Sequence, residues 1–448
     1  MAFDAVPLAN LNNLVVSLTD QADALTAATL DENFKFAPTY IDLDPQGVKT
    51  DAGDANGFEE ATKITKAGNL IRTTLNATDL SSKQAAWMHY YGLGGTLTTT
   101  TPSGGGKKHV YNPVANTTRT LPYFTMGYRE ANPVEKMQHI GCVANSLNVN
   151  MAGGQDSFLT CSMDVVGLGK YSVDPVRESI ATAYNDATTT LSNSVYVMTT
   201  TRDAVQMAIY DDGTNYVDVT ARVDTISTVT LTWLSGGPYP TAGSGSGSLH
   251  IIYRTATAES GWAGTVDLAP TLTYSPFKMS QLVTLGIGDE NSVTGTATAP
   301  TWAASAAAMT IDCEFLSLNW TLNNNVTPKL CPNQTVADPA HHHIIRRGAR
   351  TQTVTVSREA INAYWRSIGR ELDYISIYAK FQGPLIGGSD YEFIEFFWPK
   401  LQTPKVTQSQ VGDYNADTMA LIPMEDTAGT YPTVIVAVQT DSTATIGA

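Results

Sequence analysis

The sequence feature that most constrains the fold is a weak internal repeat. In the first half, LIRTTLNATDLSSKQAAWMHYYGLGG predicts a strand, a polar cap and a short helix, and TQTVTVSREAINAYWRSIGRELD predicts the same order in the second half. Each predicted helix carries a tryptophan on its apolar face, Trp87 or Trp365. LPYFTMGYR then parallels DYISIYAKF, and GCVANSLNVNMAGGQDSFLTCSMDVVG parallels FIEFFWPKLQTPKVTQSQVGDYNADTMALIPME. Each half is therefore predicted to contain strands, a helix and three further strands.

Most of the remaining chain is predicted to form strands. Short runs rich in β-branched and aromatic residues are bounded by Gly, Pro, Asn or Asp, as strands usually are. We predict a mainly β protein with two tandem β-sandwich or barrel domains, each with a short helix, and a small inserted β module. The predicted limits are an N-terminal arm at 1–34, a first domain at 35–192, an external β module at 193–262 and a second domain at 263–448.

The N-terminal arm has a helix-compatible pattern. Leu11, Leu14, Val15 and Leu18 recur at the three- and four-residue spacing of one helical face. Because such an arm has no core of its own, we predict that it lies on the body of the protein or on a neighbouring subunit.

A helix in the second half has a predicted start and end. Ser357 is predicted to cap it, since a serine hydroxyl accepts a hydrogen bond from a free amide at a helix start. Gly369 is predicted to end it. Between them lies an apolar stripe at helical spacing. Its members are Ile361, Tyr364, Trp365 and Ile368.

Acidic residues outnumber basic ones in this chain. It has 27 Lys and Arg against 42 Asp and Glu, which gives a net charge of −15 at pH 7. Proteins that grip DNA need clustered positive charge against phosphate, so a dominant DNA-gripping role is excluded. No apolar run is long enough to predict a transmembrane helix. The first basic residue is Lys35, so we expect no secretory signal at the start of the sequence.

No catalytic or metal-binding motif stands out. The sequence lacks HExxH, GxSxG and GxxxxGK[S/T], and we predict no enzymatic activity, no cofactor and no metal. The histidines at 341–343 are adjacent, so in an extended chain they alternate between faces and do not suit one shared ion. The four cysteines lack CxxC spacing and are predicted to be buried free thiols. They are Cys142, Cys161, Cys313 and Cys331.

Two basic clusters stand out in this acidic chain. Lys107 and Lys108 lie in TLTTTTPSGGGKKHVYN at 96–112, which we predict to be a long, flexible loop with SGGGKKH as a mobile hairpin tip. Arg346, Arg347 and Arg350 lie just before a strand. We predict that they form ion pairs with carboxylates of another subunit, because Arg suits interface carboxylates. A contact with an anion or DNA is the alternative.

Several of these segments resemble the tail tube, or major tail, proteins of long-tailed bacteriophages. LPYFTMGYREANPVEKMQHIGCVANSLNVNMAGGQDSFLTCSMDVVGLGKY resembles the family's strand, glycine and paired strands. FLSLNWTLNNNVTPKLCPN resembles its strand that ends in an Asn pair or triple before a short loop. RTQTVTVSREAINAYW, DYISIYAKF and EFIEFFWPKLQTPKVTQS resemble its strand, helix and later strands. The resemblance covers 35–190 and 265–440 and does not explain 193–262.

The resemblance implies a structural virion protein. Each half would be one tube domain, and six domains would close a ring around a DNA channel. Two domains per chain imply three chains per ring with pseudo-sixfold symmetry, and the alternative is a hexamer. The rings would stack into the phage tail tube in the virion, after assembly in the host cytoplasm.

The resemblance also implies partners for this tube. They are tape measure and tail terminator proteins, and double-stranded DNA that passes through an acidic lumen without specific binding. In the family a long loop reaches the adjacent ring, so Lys107 and Lys108 would meet acidic residues there.

Two other classes of function stay open. Another virion β-protein, such as a capsid decoration or baseplate component, would share the composition but should lack the internal repeat. A carbohydrate-binding adhesin that uses 193–262 as its binding part should be monomeric and should bind sugar.

Overall fold

A computed structural model describes residues 13–37, 41, 43–46, 49–51, 63–65, 68–95, 97–115, 117–118, 120–129, 136–152, 154, 156–194, 204–234, 237–238, 245–255, 275–290, 292–303, 309–310, 315–329, 344–360, 363–403, 405–411, 413–425, 431–444 and 446–447. The protein is mainly β, as predicted. Leu11, Cys313, Cys331 and the histidines at 341–343 lie outside the described residues.

The first half begins with paired strands, so the predicted arm helix is wrong over residues 13–37. Leu14 and Val15 form a strand that pairs with Tyr128 and Gly127, and β-branched residues fit such a pleated surface. The elements of this half are β1 (Asn13–Val16), β2 (Glu32–Asn33), β3 (Leu43–Gln46), β4 (Lys49–Asp51), β5 (Lys63–Thr65), β6 (Gly68–Ala77), α1 (Ser82–Leu93), β7 (Leu97–Thr100), β8 (Lys107–Tyr111), β9 (Phe124–Arg129), β10 (Lys136–Ala152) and β11 (Thr160–Asp174).

A separate β module follows β11. One sheet has the order β12-β18-β14-β15 and the other has the order β13-β17-β16, and together they enclose a core of their own around Tyr210 and Trp233. The module begins at Val176, so the predicted limit between 192 and 193 cuts through it. Pairing of β12 with β18 holds its first strand in place. Its strands are β12 (Val176–Ala183), β13 (Thr188–Thr190), β14 (Val205–Asp211), β15 (Tyr216–Asp218), β16 (Val223–Ser227), β17 (Thr230–Trp233) and β18 (Ser246–Tyr253).

The second half has the remaining strands and a second helix. That helix begins later than predicted, because Ser357 and Glu359 still belong to a strand that pairs with 416–418. The elements are β19 (Leu282–Asp289), β20 (Val293–Thr296), β21 (Ala299–Trp302), β22 (Met309–Thr310), β23 (Phe315–Asn323), β24 (Thr327–Lys329), β25 (Ile344–Arg346), β26 (Thr351–Glu359), α2 (Tyr364–Glu371), β27 (Ile375–Gly387), β28 (Asp390–Gln402), β29 (Val406–Val411), β30 (Tyr414–Pro423) and β31 (Ile435–Thr440).

Helix α2 also ends differently from the prediction. Gly369 lies inside the helix, and Leu372 adopts the left-handed conformation that ends it, with φ of 58°. A leucine in this conformation carries backbone strain that a glycine would avoid. The side chain of Leu372 is exposed.

Two sheets make up the main body. The large sheet is antiparallel and has the order β3-β6-β11-β10-β23-β26-β30-β29. The second sheet has the order β22-β19-β27-β28-β31-β8-β7 and joins the first where β28 meets β30. Strands β9, β1 and β2 extend from the first part of β10. Among the described strands these pairings close no barrel within one chain.

Helix α1 lies between the two sheets. A capping box starts it, since the Ser81 hydroxyl accepts from the Gln84 N–H and the Gln84 side chain accepts from the Ser81 N–H. Its rings contact both sheets: Trp87 lies 5.0 Å from Phe124, and His89 lies 5.5 Å from Phe396, between ring centroids. All of its residues except Lys83 are buried, as in a helix enclosed by a core.

The two halves repeat one strand order. In the first half β3 pairs with β6, β6 with β11, β11 with β10, and β10 with β9. In the second half β23 pairs with β26, β26 with β30, β30 with β29 and β28, and β28 with β27. In the first half the single strand β10 lies next to β11 and β9. In the second half two strands take its place beside β30: β29 along one part and β28, which also pairs with β27, along the other. A helix follows the second strand of each half, α1 after β6 and α2 after β26.

Candidate functional site

The outward face of the large sheet is polar and almost uncharged. Alternation along the strands turns aliphatic side chains inward and hydroxyl or amide side chains outward. A recess of about 400 Å³ opens on this face, where the amide of Asn319 donates to Asn148 Oδ1 over 3.2 Å. The outward residues of the central strands include Thr74, Asn76, Ser146, Asn148, Asn150, Ser162, Asn319, Thr321, Thr353, Thr355 and Ser357.

The charges on this face are few. Asp164 accepts hydrogen bonds of 2.6 Å from the hydroxyls of Thr74 and Ser146, so neighbouring strands hold its carboxylate in place. Arg72 lies 3.7 Å from the carboxylate of Asp44, close enough to offset its charge. The face therefore offers many neutral hydrogen-bonding groups and little net charge. The acidic lumen that the resemblance implies stays a prediction.

The large sheet ends in two edge strands, β3 and β29. Within the described part of the chain, no strand pairs with the outer edge of either. Residues 407–411 of β29 are exposed, and its sequence VTQSQV has no charge and no proline. Soluble proteins usually protect such an edge with charges, proline or a covering element, because it otherwise pairs with another chain. This edge is therefore a candidate interface, and the uncharged VTQSQV run was the sequence signal for it.

The two halves already meet through an edge contact inside the chain. Residues 146–152 of β10 pair with residues 317–323 of β23, which extends the four strands of the first half into the four of the second. Asn324, just past β23, donates from its side chain to the carbonyls of Gly92 and Ala144 over 2.9 and 3.2 Å. This intramolecular contact shows what an edge-to-edge joint between two repeats looks like.

The glycine-rich run at 104–106 joins the two strands of a hairpin, as predicted for this loop. Strands β7 and β8 pair with each other, and β8 pairs with β31 near the end of the chain. The tip is fixed by the Gly104 N–H, which donates to Asp390 over 2.6 Å. Lys107 donates to the Thr101 hydroxyl over 3.0 Å, and the Lys108 ammonium lies 5.4 Å from the centre of the Phe393 ring. The predicted contact of these lysines with an adjacent ring stays a prediction.

The arginines before β26 make bonds within the chain. Arg347 is buried and donates to the carbonyls of Ala115 and Thr118 over 2.9 and 2.7 Å. Arg350 donates to the carbonyls of Leu93 and Val114, each over 3.1 Å. Within the chain, these two guanidinium groups donate to the last carbonyl of α1 and to carbonyls of the segment after β8. The predicted ion pairs with another subunit stay a prediction.

Burial affects the charge of Arg350. Desolvation, helped by the nearby charge of Arg347, lowers the pKa of Arg350 to about 10. The group stays a cation at neutral pH and holds the end of α1 near β26. Arg346 is exposed and is the one member of the predicted trio that still faces solvent.

A buried carboxyl links α1 to the second sheet. Glu392 of β28 accepts a 2.9 Å hydrogen bond from the Ser82 hydroxyl in the first turn of α1. Burial raises the pKa of Glu392 to about 7, although the bond from Ser82 favours the charged form. The group is a structural contact inside the core and not a residue of an open cleft.

Other kinds of site find no support among the described residues. There, Cys142 and Cys161 are buried and free, as predicted. No group of three His, Cys, Asp or Glu side chains in that part of the chain is placed to hold a metal ion. Neither α1 nor α2, the helices in the described ranges, meets the length and hydropathy of a membrane span. No protein-family model matches the sequence, and no curated protein matches it either.

Proposed function

We propose that this chain is a structural tube protein, whose copies join edge to edge into closed rings that stack into a conduit for DNA. The joint between β10 and β23 carries this proposal. In this joint β10 of the first repeat pairs with β23, which is the first strand of the second repeat.

The repeat predicts the joint between copies. Strand β29 occupies in the second half the position of the last part of β10, and β3 occupies in the first half the position of β23. If the same joint recurs, β29 of one copy pairs with β3 of the next. Every copy then contributes eight strands to one continuous sheet.

A contact of this kind closes on itself. It is heterologous, since two different surfaces meet, and heterologous contacts make rings when the rotation closes. Closure covers all edges of the large sheet, as it does in a barrel. The resemblance to tail tube proteins favours three chains per ring, with a hexamer as the alternative.

The polar face of the large sheet suits the inside of such a ring. DNA is held by lysine and arginine that neutralise phosphates. On this face Arg72 lies beside Asp44, and the other outward groups are mainly hydroxyls and amides. A channel lined in this way offers hydrogen bonds to DNA and its water but does not neutralise phosphates. The protein would therefore let DNA pass without binding it.

Electron microscopy of the purified full chain tests the proposal. Negative-stain images should show rings or hollow tubes with threefold or pseudo-sixfold symmetry. A population of monomers at all concentrations up to the solubility limit would contradict it. Monomers that bind to a sugar array would favour the adhesin instead.

A further inference from the structure

A hairpin of the second half packs against strands of the first half. Strands β24 and β25 form this hairpin between β23 and β26, and Ile345 at the middle of β25 is 2% exposed. It packs in one apolar cluster with Val143, Leu168 and the partly buried Val166. The Ile345 N–H also donates to the hydroxyl of Tyr123 over 3.2 Å. A hairpin of one repeat thus covers strands of the preceding repeat.

The residues that Ile345 covers have counterparts in the second half. Strand β11 contains CSMDVVGL and the end of β30 reads DTMALIPM. Met163 and Met419 are both fully buried, and we align the two strands on this pair. Ile422 then corresponds to Val166, and Met424 corresponds to Leu168.

These counterparts, Ile422 and Met424, are not covered by any hairpin in the described part of the same chain. Ile422 is 54% exposed, although it is aliphatic. Together with Pro423 and Met424 it lines a groove of about 1000 Å³, whose other wall includes Val114 and Tyr431. In the first half the β24–β25 hairpin packs at the corresponding position, with Ile345 against Leu168 and Val166.

The first half carries a hairpin at the matching place in its strand order. Strands β4 and β5 pair between β3 and β6, as β24 and β25 pair between β23 and β26. Ile64 pairs with Thr50 at the centre of the first hairpin, as Ile345 pairs with Pro328 at the centre of the second. Both hairpins therefore place an isoleucine at the same register position.

We propose that the groove beside Ile422 is the docking site for the β4–β5 hairpin of a second copy. The inference rests on the proposed ring, in which the first half of one copy follows the second half of another. In that order the β4–β5 hairpin meets β30 as the β24–β25 hairpin meets β11. The groove presents Ile422, Pro423 and Met424 beside polar side chains such as Gln352 and Thr353. Its aliphatic part corresponds to the residues that Ile345 covers in the first half.

Disulfide trapping between two single variants tests this site. Ile64→Cys and Ile422→Cys chains are mixed with an excess of wild-type protein, assembled and mildly oxidised. A crosslink then joins only different copies. We expect a disulfide-linked dimer on a non-reducing gel, and none from the matched mixture of Ile422→Cys with Tyr216→Cys, since Tyr216 is an exposed residue of the separate module.

The outcomes separate the two proposals. Particles that contain both variants but yield no Ile64–Ile422 dimer would overturn the docking site and leave the ring intact. Wild-type protein that forms no particles would overturn the ring and the docking site together. An equally strong dimer in the Tyr216→Cys mixture would also reject the site, because the crosslink would then be unspecific.

Discussion

A single backbone amide in β29 tests the edge joint most directly. Val411 and Tyr414 pair across a two-residue connection, which makes them a hydrogen-bonded pair. By alternation Ser409 and Thr407 also bond to β30, and the N–H of Gln408 points away from it, toward the open edge. We predict that Gln408→Pro leaves the monomer folded, because proline is tolerated on an edge strand when its missing N–H faces outward.

The same substitution should weaken the contact between copies. It removes one hydrogen bond, worth about 0.5–1.5 kcal/mol, and leaves a carbonyl of the neighbouring copy unsatisfied, at a cost of about 1–3 kcal/mol. A loss of about 2–4 kcal/mol per joint corresponds to an association that is about 30- to 700-fold weaker. Every joint of a ring carries this loss.

Sedimentation velocity over a concentration series measures the effect. The concentration at which Gln408→Pro assembles should rise by at least about tenfold. Gln408→Thr, which keeps the N–H, should assemble like the wild type. Thermal unfolding of the three monomers should agree within a few degrees. If Gln408→Pro assembles at the wild-type concentration, β29 is not the joint.

Three further substitutions test single contacts and backbone conformations within the chain. Burial favours the protonated form of Glu392 and raises its pKa from 4.5 to about 7. The protonated carboxyl therefore contributes fully to the free energy of unfolding below about pH 4, and this contribution is lost as pH rises through 7. Glu392→Gln cannot ionise, so at pH 8 its free energy of unfolding should exceed that of the wild type by up to ~3 kcal/mol. At pH 4 the two proteins should differ little, and thermal unfolding at both pH values measures this. Arg350→Met leaves the carbonyls of Leu93 and Val114 without this donor and should lower the free energy of unfolding by about 2–4 kcal/mol in urea titrations; an unchanged midpoint would contradict its role. Leu372→Gly should raise that free energy by about 1 kcal/mol by relieving the left-handed strain, and a loss of stability would show that the leucine side chain matters more.

The repeat was the part of the fold that the sequence predicted best. Long alternating strands and the two tryptophans fix its order, and both Trp87 and Trp365 are fully buried in the structure. Pattern is informative here because each strand has one face toward a core and one face outward. The fold class follows from the same signal and is confirmed.

Local pattern failed where a distant strand decides the conformation. Leu14 and Val15 have helical spacing but pair with β9, more than a hundred residues away. Ser357 is a good helix cap in isolation, yet it stays in β26 because β30 pairs with it. Long-range pairing overrides weak local preferences of this kind.

The candidate site was harder to predict for a similar reason. The glycine-rich run at 96–112 looks flexible until β31 supplies a partner. Arg347 and Arg350 resemble interface residues, but the carbonyls that they bind lie in the segment after β8 and at the end of α1. The open edge of β29 and the groove beside Ile422 depend on which strands are neighbours, which only the assembled fold defines.

The position of α1 has a consequence for synthesis. This helix is enclosed by β10 and by β31, and β31 comes from the last residues of the chain. An isolated helix of this length is marginal in water, so α1 needs both walls to persist. The first repeat therefore stays unfinished on the ribosome until residues 435–440 have been synthesised. A product that stops short of residue 435 lacks one wall of its own core.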